Sequence, residues 1–237
     1  MSVYSNVQIR KAVKEGHIVC HPFIKANIAG SSLDVTLGNW YYRTERTGVS
    51  GFYNPFDRND VARYFDGPYK AEIHKYWSKA NGRQLFEGIP PNQPIIVVRP
   101  GERLLGHTHE FIGIKAPGTS TLQARSTWGR NGVAVCIDAG WGDPGYINRW
   151  TLEIYNMNQH ESVVLPVGER IAQMVFYETG PVEGEYKKLS GKYQPSASTD
   201  LSKLVRHWRP EQMLPRAYKD TRLAPIRIEG LKDHKAG

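Results

Sequence analysis

Residues 94–177 read PIIVVRPGERLLGHTHEFIGIKAPGTSTLQARSTWGRNGVAVCIDAGWGDPGYINRWTLEIYNMNQHESVVLPVGERIAQMVFY, and this stretch decides the fold. Short runs rich in β-branched and aromatic residues recur at 95–98, 111–114, 120–125, 133–137, 150–156, 162–166 and 170–177. Turn residues punctuate them at Pro100-Gly101, Pro117-Gly118, Asn131-Gly132, Pro144-Gly145 and Val167-Gly168. Closely spaced short strands with such punctuation predict a sandwich or distorted barrel. Long helices do not alternate with them, which argues against a dinucleotide-binding doubly wound fold.

Working outward, residues 31–40, SSLDVTLGNW, alternate Leu33, Val35 and Leu37 with polar neighbours, the period of a strand. Before it, Ser5 followed by Val7, Ile9, Ala12 and Val13 predicts an N-capped amphipathic helix that ends at Gly16. Residues 41–92 are aromatic, polar and irregular, and read as a long insertion carrying one short helix. From Gly191 onward the chain is polar, basic and interrupted by proline. That tail is expected to wrap a surface or a neighbouring subunit and not to pack a core. The expected organisation is one domain over residues 1–195, with the insertion at about 41–92, followed by a basic extension over residues 196–237.

The chain has 237 residues, enough to bury a sizeable core, and 23 glycines and 15 prolines, which favour turns and short strands. The formal net charge of +8 suits nucleic acid, an anionic surface or a small polyanion, and alone selects none of them. Cys20 and Cys136 are the only cysteines, too few for a disulfide framework and without the paired spacing of a structural zinc site. The opening residues form no continuous apolar run, so neither a signal peptide nor a membrane span is expected, and the expected location is the cytoplasm.

The densest chemistry lies over residues 124–156. Arg125, Ser126 and Arg130 fall in a turn after a strand, where guanidinium forks and a hydroxyl can converge on phosphate oxygens. Taken alone, arginines beside a β-turn are more often solvated or ion-paired. In WTLEIYN, Trp150, Leu152 and Ile154 share one face, so Glu153 shares the other with Thr151 and Tyr155. Facing a closed pocket, its carboxyl would gain proton affinity and could shuttle protons near neutral pH. On spacing alone, a half-exposed strand carboxylate is the plainer reading.

RSTWGRNG at 125–132, AGWGDPGY at 139–146 and TLE at 151–153 follow one another in the order and spacing of the dCTP deaminase family, which this segment resembles. The resemblance extends to IRKAVKEGHIVCHPF, SSLDVTLG, PGERLLGHTHE and PVGERIAQMVFYETGP, and ends at GKYQ, residues 191–194. It implies a mainly β, dUTPase-like distorted β-barrel of the β-clip or jelly-roll kind, with a short N-terminal helix and an insertion. Glu153 would then be the general base that activates water for attack at C4 of cytosine and returns protons to the leaving ammonia. Ser126 and the carbonyl of Ala139 would hold that water, and Arg130 would stabilise the charged adduct. Arg125, Thr127, Asp138, Asp143, Gln173, Lys192, Tyr193 and Gln194 would bind the nucleotide. Asp143 would touch the sugar hydroxyl or orient water at the α-phosphate. The resemblance further implies a homotrimer with sites between subunits, and magnesium bound only through the substrate's phosphates. Zinc is not expected, because Cys136 stands alone and the P-C-x-x-C signature of zinc deaminases is absent. Neither a membrane nor nucleic acid is an expected partner.

Several positions depart from the family pattern. Asp138 stands where a Thr is usual, Cys136 where a His is usual, and Trp141 is bulky beside the proposed water. Asn148 stands where a hairpin glycine is usual, and Pro195 to Ser198 replace the end of the flap. Asn148 is expected to take the left-handed conformation that the glycine would supply. Three functions stand at this point: deamination of dCTP to dUTP; a dUTP diphosphatase or a bifunctional deaminase and diphosphatase; and a non-catalytic protein that senses nucleotides.

Overall fold

The computed structural model describes residues 2–44, 51–137, 139–183, 192–193 and 200–220. Helix α1 (Asn6–Lys14) starts at Ser5, whose hydroxyl accepts from the Gln8 amide while the Gln8 side chain accepts from the Ser5 amide. This reciprocal capping satisfies two donors that the first turn would leave unpaired. The helix buries Ile9 and Ala12 and ends as expected before Gly16.

Strands β1 (Ile18–His21), β2 (Leu33–Thr36) and β3 (Trp40–Thr44) follow. The insertion then carries more structure than the single helix expected of it. It holds α2 (Arg58–Tyr64), β4 (Phe65–Lys70), β5 (Glu72–Ile73) and α3 (His74–Ala80). Its strands extend the core sheets: β4 pairs with β3, and β5 pairs with β6 (Pro94–Val98). Next come β7 (Arg103–His107), β8 (Phe111–Ile114), β9 (Gly118–Ala124), α4 (Ser126–Arg130), β10 (Val133–Ala134) and β11 (Trp141–Gly142). The chain continues through β12 (Thr151–Asn156), β13 (Val163–Pro166), β14 (Arg170–Glu178) and α5 (Leu201–His207).

The fold is mainly β, and every strand pair is antiparallel. Among the described residues the strands form four sheets and not one closed barrel. The two largest have the orders β10-β12-β7-β3-β4 and β11-β9-β14-β2. The main core lies between them, built from residues such as Leu37, Leu104, Leu152, Ile154, Met174 and Phe176. Strand β10 is shorter than the expected run over 133–137, because Cys136 takes φ 55 and turns the chain out of the ladder. Asn148 does not take the left-handed conformation expected of it; it is buried and bridges Ile112 instead.

A second core cluster covers the outer face of the five-stranded sheet, and it corrects the expectation for the tail. Leu204, Trp208 and Met213 are buried there with Tyr42, Val61, Phe65 and Leu105. The extension therefore packs as core, alongside residues of the insertion. His107 closes this cluster, its ring 4.7 Å from that of Trp208. Its Nε2 accepts from the Trp40 amide, which leaves Nδ1 to donate to the Thr108 carbonyl at 2.8 Å. Burial lowers its pKa to about 3, so this histidine is a neutral structural residue.

Candidate functional site

Glu153 sits in β12, where Leu152, Ile154 and Asn156 are buried and Thr151, Glu153 and Tyr155 are half-buried. Its partner across the ladder is Leu105 of β7, itself opposite Tyr42 of β3. Directly paired residues share a face, so the carboxyl lies on the side that the second cluster covers. Its Oε2 is buried and has no hydrogen-bond partner. Burial raises the carboxyl above the ordinary carboxylate range, and a backbone hydrogen bond and the charge of Arg103 oppose the shift only in part. Cys136 lies close enough to feel the same carboxylate. Burial, reinforced by Glu153, pushes its thiol up to about 12. Glu153 is thus a sequestered, incompletely satisfied acid with raised proton affinity, the environment that suits a group exchanging protons near neutral pH.

Ser126, Thr127 and Arg130 lie on α4, a short helix and not the turn expected, and all three are exposed. Two bonds to one carbonyl fasten α4 to β14: the Arg125 guanidinium and the Trp128 indole donate to the Arg170 oxygen at 3.2 and 3.0 Å. Arg125 also lies 3.5 Å from the buried carboxylate of Asp34, which Arg170 approaches at 3.1 Å. Gln173 sits opposite both Asp34 and Gln123. Arg125 and Gln173 are therefore brought to one neighbourhood, while Glu153 belongs to the other large sheet. Asp34 and Arg170 complete the arginine cluster. The sequence reading did not name them as site residues, although both lie in stretches, SSLDVTLG and PVGERIAQM, on which the resemblance rests.

The segment joining the two sheets passes Ala139 and Asp143, both exposed. It is pinned where Leu122 donates to the Gly140 carbonyl at 2.7 Å and where β11 pairs with β9. The close approach needs glycine. A Cβ at Gly140 would lie 2.2 Å from the Leu122 oxygen, and one at Gly142 would lie 2.4 Å from the Trp150 ring. Asp143 accepts from the Trp141 indole at 3.2 Å, and Ile137 and Trp141 flank Ala139 with relative exposures of 48% and 58%. Asp138 and Gln194 lie outside the described residues.

Lys192 and Tyr193 are held by the extension. Lys192 pairs with Asp220 at 2.6 Å, and the Arg216 guanidinium donates to the Lys192 carbonyl at 2.7 Å. The Arg216 amide donates to the Tyr193 hydroxyl at 3.2 Å, and the Asn148 amide group donates to the Tyr193 carbonyl at 2.9 Å. Arg149 lies between Phe111 and Trp208, 4.9 and 4.7 Å from their ring centres, and ties the extension to the same hairpin. Among the described residues no three His, Cys, Asp or Glu side chains converge as metal ligands, and no helix is long and apolar enough to cross a membrane.

Comparison with known proteins adds to this geometry. A family model described as dCTP deaminase-like matches residues 3–179. The protein called dCTP deaminase, dUMP-forming, of Methanopyrus kandleri is 30% identical over 210 residues, 86% of this chain and 96% of that protein. A protein of the same description from Dictyoglomus turgidum is 31% identical over 208 residues, 85% of this chain and 94% of its own length. Among solved structures, the 2'-deoxycytidine 5'-triphosphate deaminase of Agrobacterium tumefaciens aligns with a TM-score of 0.52 at 14% identity, covering 80% of this chain and 53% of that one. That likeness speaks to the fold.

Proposed function

Because the chain belongs to the dCTP deaminase-like family, we propose that it is a hydrolase that converts dCTP and two waters into dUMP, ammonia and pyrophosphate. The observation that carries the deamination step is the buried, unpartnered carboxyl oxygen of Glu153, raised in proton affinity by its surroundings. The product departs from the dUTP expected first from sequence. The similar proteins of Methanopyrus kandleri and Dictyoglomus turgidum are described as dUMP-forming, which favours the bifunctional reaction.

In this reading Glu153 takes a proton from water as the oxygen attacks C4 of cytosine, then passes it to the departing amino group. Ser126 and the Ala139 carbonyl hold that water, and Arg130 meets the charge that the ring gains. Asp143 orients a second water toward the α-phosphate, and pyrophosphate leaves. Arg125, Thr127, Gln173, Lys192 and Tyr193 bind the triphosphate. The nearest carboxylate to Arg125 is Asp34, already engaged by Arg125 and Arg170. The donor set therefore fits a magnesium ion carried by phosphate oxygens and not one held by a protein cage. When bound, it would supply charge neutralisation on the phosphates.

Exposure supports the assembly proposed. One chain sequesters Glu153 yet leaves Ser126, Thr127, Arg130, Ile137 and Trp141 exposed. A second copy would cover them and complete the site, and a homotrimer is the assembly this reading takes. Incubation with dCTP, with ammonia, pyrophosphate and nucleotides measured in parallel, tests the proposal. Equal release of ammonia and pyrophosphate with accumulation of dUMP is expected, and Glu153→Gln should lose ammonia release while still binding dCTP. Ammonia without pyrophosphate would return dUTP as the product, and near-normal turnover by the variant would remove Glu153 as the base.

A further inference from the structure

A half-open cavity of about 1330 Å³ lies between the insertion and the turn that joins β6 to β7, and none of Glu153, Ser126, Arg130 or Asp143 lines it. Its floor is electrostatically closed. Arg43 donates to the Glu102 carboxylate and to the Val97 carbonyl, and Glu102 also accepts from the Arg99 amide. Its rim is not. Arg83, just past α3, and Arg99, beside Pro100-Gly101, have no ion-pair partner among the described residues, whereas the charge of Arg103 in the same lining acts on Glu153. Cations therefore face the opening from the insertion on one side and from the core turn on the other. Trp77 and Phe86, their ring centres 5.7 Å apart, supply an aromatic wall.

We propose that this cavity is a second nucleotide site, separate from the deamination centre, that takes a purine nucleoside triphosphate. Unpaired guanidinium groups on two sides suit a compact polyphosphate, which they can grip with paired, permanently charged donors. The indole of Trp77 offers a flat face on which a base can stack. Glu72 in the wall supplies an acceptor for an exocyclic amine. Of the two base classes, a purine offers the indole the larger stacking face. The same lining holds Asp66, Glu72 and Glu161, so a triphosphate can be gripped only where Arg83 and Arg99 stand. A continuous single strand, whose phosphates would run past those carboxylates, fits less well.

Titration calorimetry with dATP on the full-length Glu153→Gln chain, with and without excess dCTP, is the test. Binding of dATP that dCTP does not displace is expected. Its affinity should fall at least tenfold in Arg83→Ala/Arg99→Ala and in Trp77→Leu, each added to that background. If Trp77→Leu fails to fold, the arginine pair, both exposed, still decides the question. Three results would each overturn the site: no dATP binding at millimolar concentration, displacement of dATP by dCTP, or a single-stranded DNA decamer that binds more tightly than dATP and is weakened by the same substitutions.

Discussion

Glu153→Gln should stabilise the protein at neutral pH while removing its activity. The side chain is nearly isosteric, so packing against Leu105 is kept. What changes is the charge forced on a buried oxygen that has no partner. An unsatisfied buried acceptor costs about 1–3 kcal/mol, and a neutral amide costs less to desolvate than a carboxylate. Half-burial of Glu153 places the gain at the lower end, about 1 kcal/mol, or roughly 2–4 °C in Tm for a chain of this size. The pH dependence has a defined sign. Folding raises the carboxyl's pKa, so its stabilising contribution is complete below the ordinary carboxylate value of about 4.3 and is lost as pH rises through the folded value. Wild type and variant should therefore melt together near pH 4 and separate above it, the variant higher. Thermal melts at matched protein concentration from pH 4 to 8 read the difference, and ammonia release should fall at least about 100-fold. A variant less stable than wild type at pH 8 would refute the reasoning, because it would mean that the carboxylate has a cationic partner in the assembled protein.

The remaining predictions test the parts that hold the site. Trp208→Ala removes a side chain of 7% exposure and should cost about 3–5 kcal/mol in urea unfolding. By loosening the cover over Leu105 it should also move the acid limb of the deamination pH profile toward lower pH; an unmoved limb would separate the extension from Glu153. Gly142→Ala places a methyl 2.4 Å from the Trp150 ring and should destabilise by about 1–3 kcal/mol, read from the urea midpoint at unchanged m. His107, lowered to about 3 by burial, contributes stability that is present above its unfolded value and is lost as pH falls from about 6.5 toward 3. Unfolding free energy should therefore drop by up to about 1.4 kcal/mol per pH unit across that window from this group, and the slope should be smaller in His107→Gln.

The core strands were legible in sequence because burial on one face writes a period of two, clear at Leu33, Val35 and Leu37 and again at Leu152 and Ile154. The first helix was legible because Ser5 and Gln8 carry a capping box. The insertion was not, because β4 has one buried residue, Phe65, and otherwise reads as polar loop. The tail was misread for a related reason. Leu204, Trp208 and Met213 are isolated among basic residues and prolines, and only the tertiary fold gathers them into one cluster. Within the site, Arg125, Gln173 and Glu153 were named in advance, but their neighbours were not. Asp34 meets Gln173, and Arg103 meets Tyr155 beside Glu153, only through strand register between segments far apart in the chain.

The two large sheets divide the proposed site residues between them. Glu153 belongs to the five-stranded sheet, while Arg125 and Gln173 belong with the four-stranded one. The link between them runs through α4, the short β10 and the turn at Cys136, and is fixed by the approach of Gly140 and Gly142 to β9 and Trp150. Ser126 and Arg130, on α4 at the start of that link, are exposed. In the proposed homotrimer, another copy meeting α4 would cover them. Leu105, opposite Glu153 in the ladder, is buried in the same cluster as Trp208 of the extension, and burial is the largest cause of the carboxyl's raised proton affinity.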